Sequence, residues 1–347
     1  MDIDKLKLRF VDDLKIPITV VQDPYWDFYL DLYEPELKSR TLWNKLLNGI
    51  KEEYNDNPQL FLDDFYKLRE ALIVAVKETQ GYNDFLKAKL QDHYDSKIFP
   101  FSGVQKNDIY NEQWTGKHFI SVDLKKANIQ ALNYYCPEIF NVGLLGREHS
   151  NITSLYESWL AKFLGGKKTL GWYVPMSKYI RQVVFGNCKP ERQITIERWL
   201  VGKAAESVLA LLGKHNIKSE VVEFGSDEVV IYLPGGELVD PSMFESLKNT
   251  LSTAPIDSSD ILSQPVDVKI MPFKLSTITY LTPGGHTVRI YKKSYPDGTC
   301  KYKTINKFWH AQIYEDLHGL QPDPDDKDLV FYQEKEVAKF LGRLKRV

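Results

Sequence analysis

The sequence predicts an α+β fold: an antiparallel sheet backed by helices, with a helical subdomain before it and a hairpin-containing extension after it. Three observations carry this expectation. Apolar residues recur at helical spacing through most of the first 115 positions. Two apolar runs, Val221-Val222 with Phe224 and Val229 to Leu233, are pinched around Gly225-Ser226-Asp227-Glu228 and read as a hairpin. His118-Phe119-Ile120-Ser121-Val122-Asp123-Leu124 is a buried-strand pattern ending on an acid, after which helical spacing resumes through Ile129 and Leu132.

The elements follow in order. Asp23 and Pro24 supply an N-cap and a first-turn proline. Tyr25 to Tyr33 then repeats aromatics and leucines at helical spacing, ending at Pro35, and that stripe is expected to be core. Further helices are expected over about 37–53, 58–79 and 83–93, with acids and lysines outward. Ile98-Phe99-Pro100-Phe101-Ser102-Gly103 is rich in turn formers and marks the first boundary. The strand at 118–124 and a helix from Lys125 to Tyr135 come next. Residues 141–176 are mixed, and Gly165-Gly166-Lys167-Lys168 lacks the spacing of a phosphate-cradling loop. A helix over 177–187 stops near Gly186, and Pro190 opens a long one over 191–214 with Gly213 near its end. The hairpin follows directly, closed by Pro234-Gly235-Gly236, and a helix over 241–250 is expected behind it. Asp323 to Asp328 reads as a solvated acidic loop, and no internal repeat is present.

Composition narrows the class. Hydrophobic residues at 43% with 27% charged describe a globular chain with ample core, and 347 residues allow two or three domains. Cys136, Cys188 and Cys300 lie far apart with no C-x-x-C spacing, so a reducing compartment, the cytoplasm, is expected. The acidic start Met1-Asp2-Ile3-Asp4 and the lack of a long apolar run argue against a secretory leader and a membrane span. A net charge of −2 does not advertise a nucleic-acid binder, and it leads us to expect modest intrinsic affinity and an accessory protein. Local charge differs. Between Arg289 and Lys307 the bases Arg289, Lys292, Lys293, Lys301, Lys303 and Lys307 face only Asp297, interleaved with Tyr291, Tyr295 and Tyr302. That alternation suits a phosphate backbone and stacked bases, and equally a solvated ribbon turning at Pro296-Asp297-Gly298.

Adjacent carboxylates at the turn of a buried hairpin repel one another and resist desolvation, and a divalent cation beside them relieves both penalties. Asp227 and Glu228 therefore read as metal ligands, with Asp123 at its strand end as the third. A strand-end aspartate, a long helix and a hairpin bearing an acid pair compose a palm. Oxygen ligands dominate and no His or Cys cluster competes, so Mg2+ is the expected ion and Mn2+ the alternative. Two divalent ions held there would activate a 3′-hydroxyl and stabilise a pyrophosphate leaving group, a two-metal mechanism. Lys178 and Arg181, one helical turn apart, read as triphosphate contacts, with Lys126 close to Asp123 as a third. Asn187, Arg192 and Gln193 form a polar group suited to template or primer, and the seven histidines show no ligating spacing.

Over roughly residues 118–250 the chain resembles the palm and fingers of family A DNA polymerases. Val122-Asp123-Leu124 with Asn128, Gln130 and Leu132 is similar to their first motif, Arg181-x-x-x-Phe185-Gly186 to their second, and Ser226-Asp227-Glu228-Val229-Val230-Ile231 to their third. The family carries a glutamate where Asn128 stands, which bears on sugar discrimination, and a histidine where Ser226 stands. The interval from Asp123 to Asp227 is short for a full set of fingers, as in a reduced polymerase. The Gly-Ser-Asp-Glu tip is also similar to tRNA-histidine guanylyltransferases, whose first acid lies in an Asp-Gly-Arg context that Asp123-Leu124-Lys125 does not reproduce.

The resemblance implies a thumb-like subdomain at 1–115, a palm at 116–140 and 188–275, a fingers-like insertion at 141–187 and a C-terminal extension at 276–347. It implies that Asn128, Gln130 and Phe185 face sugar, base or template. The expected activity is metal-dependent addition of nucleotides from nucleoside triphosphates to a nucleic-acid 3′ end, on a primer-template or tRNA-like substrate. A tRNA-directed or template-independent transferase and a non-catalytic nucleic-acid-binding palm are the alternatives.

Overall fold

The computed structural model describes residues 2–23, 25–90, 101, 103–104, 109–140, 151–186, 190–236, 238–253, 266–306, 308–320, 331–334, 337–340 and 342–347. Pro24, most of the junction at 98–103, the end of the helix expected to reach His93, Asn187, Cys188, Lys307 and the acidic run at 323–328 lie outside the described residues.

Helical periodicity in the first third yields α1 (Asp2–Leu14), α2 (Tyr25–Leu32), α3 (Glu34–Leu37), α4 (Ser39–Tyr54), α5 (Pro58–Lys77) and α6 (Gln80–Lys87). Pro35 does not act as a terminator. The chain breaks at Tyr33 and restarts as α3 with Pro35 in its first turn, where the missing N–H has no helical partner to lose. The aromatic stripe is core as expected: Trp26 meets Phe10 of α1 and Trp43 of α4 edge-on, with ring centroids 6.2 and 4.9 Å apart. At the start of α5 the Asn57 side chain accepts from the Gln59 and Leu60 amides, so this helix begins at a satisfied cap.

The remaining chain forms β1 (His118–Leu124), α7 (Ala127–Tyr135), α8 (Ile152–Ala161), α9 (Lys168–Met176), α10 (Lys178–Gly186), α11 (Pro190–Lys214), β2 (Glu220–Phe224), β3 (Glu228–Leu233), α12 (Glu245–Thr253), β4 (Val268–Leu281), β5 (Thr287–Ser294), β6 (Cys300–Lys303), α13 (His310–Leu317), β7 (Phe331–Glu334), β8 (Val337–Phe340) and β9 (Lys345–Arg346). The mixed stretch at 141–176 thus contains α8 and α9, separated by a loop in which Gly165 and Gly166 hold positive φ. Among the described residues the sheet runs β2-β3-β1-β4-β5-β6, with β9 beside β4 and β7-β8 as a separate pair. Every pairing is antiparallel. β4 passes position 275 without a break, so the strands of the C-terminal extension lengthen the same sheet.

Strand alternation sends side chains to two faces. Ile120, Val122 and Leu124 of β1, with Val229, Ile231 and Leu233 of β3, join the main core shared with α7 and α11. The other face carries Asp123, yet it is not open along its length. Phe119, Val230, Phe273, Leu275 and Tyr291 build a second core there with Ile109, and Trp114 packs its ring against Phe119 and Tyr232. This cover comes from the segment just before β1, whose apolar residues have no helical face to join and fold back on the nearest exposed strands. The acids occupy what remains uncovered.

Candidate functional site

Antiparallel register places Asp123 directly opposite Glu228 on one face. The Leu124 amide donates to the Asp227 carbonyl at 2.8 Å, tying the hairpin tip to the end of β1, and the Gly225 amide closes the tip on the Glu228 carbonyl at 2.9 Å. A Cβ at Gly225 would lie 3.1 Å from that same carbonyl, so the tight tip favours glycine. The three acids named from sequence are therefore neighbours. Burial, then the charges of Glu228 and Asp227, push the Asp123 carboxyl up to about 6, against the pull of Lys301 and Lys293.

Glu228 lives in a different field. Burial alone would raise it, but Lys293 and the Ser121 hydroxyl outweigh burial and hold it below the usual carboxylate range. Ser121 Oγ donates to Glu228 Oε1 at 2.5 Å and Lys293 Nζ at 3.2 Å. Lys293 is itself buried, with its ammonium 4.4 Å from the Phe273 ring centroid and 5.6 Å from that of Tyr110. In a flat sheet, three inter-strand steps of about 4.8 Å would leave β3 and β5 about 14 Å apart, before any offset along the strands. The Lys293–Glu228 contact requires the sheet to curl, with the acid-bearing face concave.

A fourth carboxylate went unnoticed in the sequence. Glu197, on α11, is only 4% exposed, and its Oε1 has no hydrogen-bond partner among the described residues. Burial, then the charge of Asp227, push its carboxyl up to about 7. Its signal was present as an acid on the apolar face of a helix, flanked by Ile196, Leu200 and Val201.

Two of the three expected triphosphate cations come together. Lys126 caps α7 with left-handed φ of 50°, half-buried, and Arg181 reaches from α10, where its Nη1 donates to the Pro175 carbonyl at 2.9 Å. Burial, then Arg181, lowers the Lys126 pKa, and burial lowers that of Arg181. The Tyr156 ring lies 6.0 Å from the Lys126 ammonium, and its buried hydroxyl has no hydrogen-bond partner among the described residues. Glu157 and Asp267 act on Lys126 in the opposite sense, but neither Lys126 nor Arg181 forms an ion pair among the described residues. Lys178, one turn earlier on α10, is exposed and outside that pair.

The other candidates are mostly committed to the protein itself. Gln130 is buried, donates to the Lys125 and Asp267 carbonyls at 2.6 and 2.7 Å and accepts from the Asp267 amide at 2.8 Å, stapling the β1–α7 turn to the start of β4. Gln193 is buried and donates to the Phe185 carbonyl at 2.7 Å. Phe185 is fully buried against Phe140, Tyr156 and Trp159. Arg192 donates to the carbonyls of Phe85 and Ala88 and covers the Phe85 ring. Asn128 stays half-exposed on the first turn of α7, and Asn187 lies outside the described residues.

Carboxylate oxygens are the donor set a hard divalent cation takes, and like-charge crowding around Asp123 is the field such an ion relieves. Among the described residues, however, no group of three or more His, Cys, Asp and Glu side chains converges closely enough to hold a metal. Glu228 is drawn to Lys293 and Ser121, away from a shared centre with the two aspartates. Among the described residues no helix is long and apolar enough to cross a membrane. No protein-family model, no curated protein and no solved structure matches the chain.

Proposed function

We propose that the protein is a metal-dependent nucleotidyltransferase with a palm-like core, similar to a reduced family A polymerase, which adds nucleotides from nucleoside triphosphates to a nucleic-acid 3′ end. One observation supports this above the others: Asp123, crowded by the charges of Glu228 and Asp227, and the cations Lys126 and Arg181, which form no ion pair among the described residues, flank the same β1–α7 turn. A site with acids on one side of a turn and two cations without ion pairs among the described residues on the other suits a magnesium triphosphate. In this reading Asp123 and Asp227 would hold Mg2+, for which Mn2+ could substitute, and Glu228 would assist. Bound there, the ion would supply charge neutralisation at the reacting phosphate and a more acidic 3′-hydroxyl. Lys126 and Arg181 bind the β- and γ-phosphates, with Lys178 at the rim. The 3′-oxygen forms its bond to the α-phosphorus as the α–β bridging bond breaks, the hydroxyl proton goes to solvent or an acid of the cluster, and pyrophosphate leaves between the two cations.

Incorporation of labelled nucleotide, screened over primer-template, single-stranded DNA and tRNA and over both sugar classes, tests the proposal. Asp123→Ala and Asp227→Ala should each reduce it to background; undiminished activity in either sinks the mechanism. A second reading, a nucleic-acid-binding palm without turnover, is favoured by the Lys293–Glu228–Ser121 contacts, which occupy one acid. It is upheld if no primer is extended while oligonucleotides bind.

A further inference from the structure

The C-terminal ribbon splits its charges between the two faces of the sheet, and the register says how. Asp123 pairs with Lys269, Leu275 with Lys293, Lys293 with Lys301 and Tyr291 with Lys303. No bulge interrupts these ladders, so Lys269, Lys293, Lys301 and Lys303 share the concave face with Asp123 and Glu228, whereas Lys274 and Lys292 point to the other. Lys293 and Lys301 stand directly opposite one another, an arrangement that disfavours the sheet unless both charges are compensated. Lys293 has Glu228. Lys301 is exposed and Lys303 half-exposed, and neither forms an ion pair among the described residues. Both nevertheless belong to the acid site, because Lys301 lies within electrostatic reach of Asp123, and Lys303 of Glu228.

We propose that Lys301 and Lys303 form a track for the phosphate backbone of a single polynucleotide strand, running along the concave face and delivering its 3′ end to Asp123. Residues two apart on a strand present their side chains about 6.6 Å apart, a spacing that lets each ammonium take a separate phosphate of an extended strand. The curl brings the track over the acids instead of leaving it at a sheet edge. Lys126 and Arg181 lie beyond the other end of β1, so the incoming triphosphate and the strand approach the acids from different sides. This assignment rests on the nucleotidyltransferase reading, but it is tested by binding alone.

The experiment measures fluorescence anisotropy of a labelled single-stranded oligonucleotide of mixed sequence with the full chain, over a salt series. The double variant Lys301→Gln/Lys303→Gln should weaken binding and lower the slope of log K against log salt by about 1.4, at about 0.7 per lost contact. Lys274→Gln/Lys292→Gln removes the same charge from the opposite face and should change neither, and equilibrium dialysis of a magnesium triphosphate should give the same affinity for all three proteins. Equal losses in both doubles, no loss in either, or a loss of triphosphate binding alone overturns the track. A protein that extends no primer yet shows the expected slope change retains the track while failing the proposed activity; an active one with an unchanged slope loses only the track.

Discussion

Glu197→Gln tests the electrostatics of the site without requiring turnover. Burial and Asp227 raise the Glu197 carboxyl from 4.5 to about 7. In the pH window between those values the folded chain holds a proton that the unfolded chain releases, so stability falls as pH rises through it. The contribution is fully present below 4.5 and lost above about 7. At about 1.4 kcal/mol per pKa unit the whole effect is about 3 kcal/mol. Glutamine has nearly the same shape and cannot ionise, so the variant should gain on the wild type by about 3 kcal/mol between about pH 4 and about pH 8. Urea unfolding of both proteins at the two pH values measures it, and comparing the difference at each pH cancels the effect of the amide itself. A difference that stays constant within about 0.5 kcal/mol would refute the reasoning, since Glu197 would then titrate as it does in the unfolded chain. Saturating Mg2+ supplies a further arm: a cation bound beside Asp227 reverses the local field and should shrink the gap.

Three further outcomes follow from the contacts. Asp13 is fully buried and accepts from Arg9 Nε at 3.0 Å, Tyr173 at 2.8 Å and Ser177 at 2.6 Å, while Ser177 Oγ accepts from the Ile180 amide at 3.0 Å and so caps α10. Asp13→Ala strands a buried guanidinium and should cost about 3–5 kcal/mol in urea unfolding. Lys293→Met removes the charge that holds Glu228 down, so the carboxyl titrations of both Glu228 and Asp123, followed by NMR, should move upward; stability at neutral pH should drop by about 2 kcal/mol, since Glu228 keeps 34% of its side chain in solvent. Arg181→Ala should weaken triphosphate binding about tenfold to a hundredfold in equilibrium dialysis, as expected for a charge-assisted contact, while Lys178→Ala, on the exposed turn, should change it by less than about threefold.

What the sequence made legible was local. The strand ending at Asp123, the helix after it and the hairpin around Gly225 each follow from side-chain period and turn chemistry, which act over a few residues. The destinations of polar side chains did not follow. Gln130 and Gln193 stand where a motif suggests contact with a substrate, yet each amide is consumed by backbone groups that the turn after β1 and the end of α10 leave unpaired. Those unpaired groups exist only once the elements have docked, so nothing in the spacing distinguishes an amide that faces solvent from one that closes the fold. Lys293 was visible as one base among several, but its role depends on a curl that brings β5 over β3.

The acid pair shows the same limit at the site itself. Read as letters, Asp227-Glu228 is a single repulsive unit that asks for one cation. The tertiary structure gives the two acids different neighbours: Asp227 accepts from Ser226 and faces Glu197 and Asp123 with no ion-pair partner among the described residues, whereas Glu228 is compensated by Lys293 and Ser121. The repulsion that made the pair conspicuous is therefore uneven: Asp123 still feels Glu228 first and Asp227 second, and Glu197 feels Asp227. Under the proposed nucleotidyltransferase reading, a cation would gain most beside Asp123 and Asp227, the acids without an ion pair among the described residues, while Glu228 is held by Lys293 and Ser121.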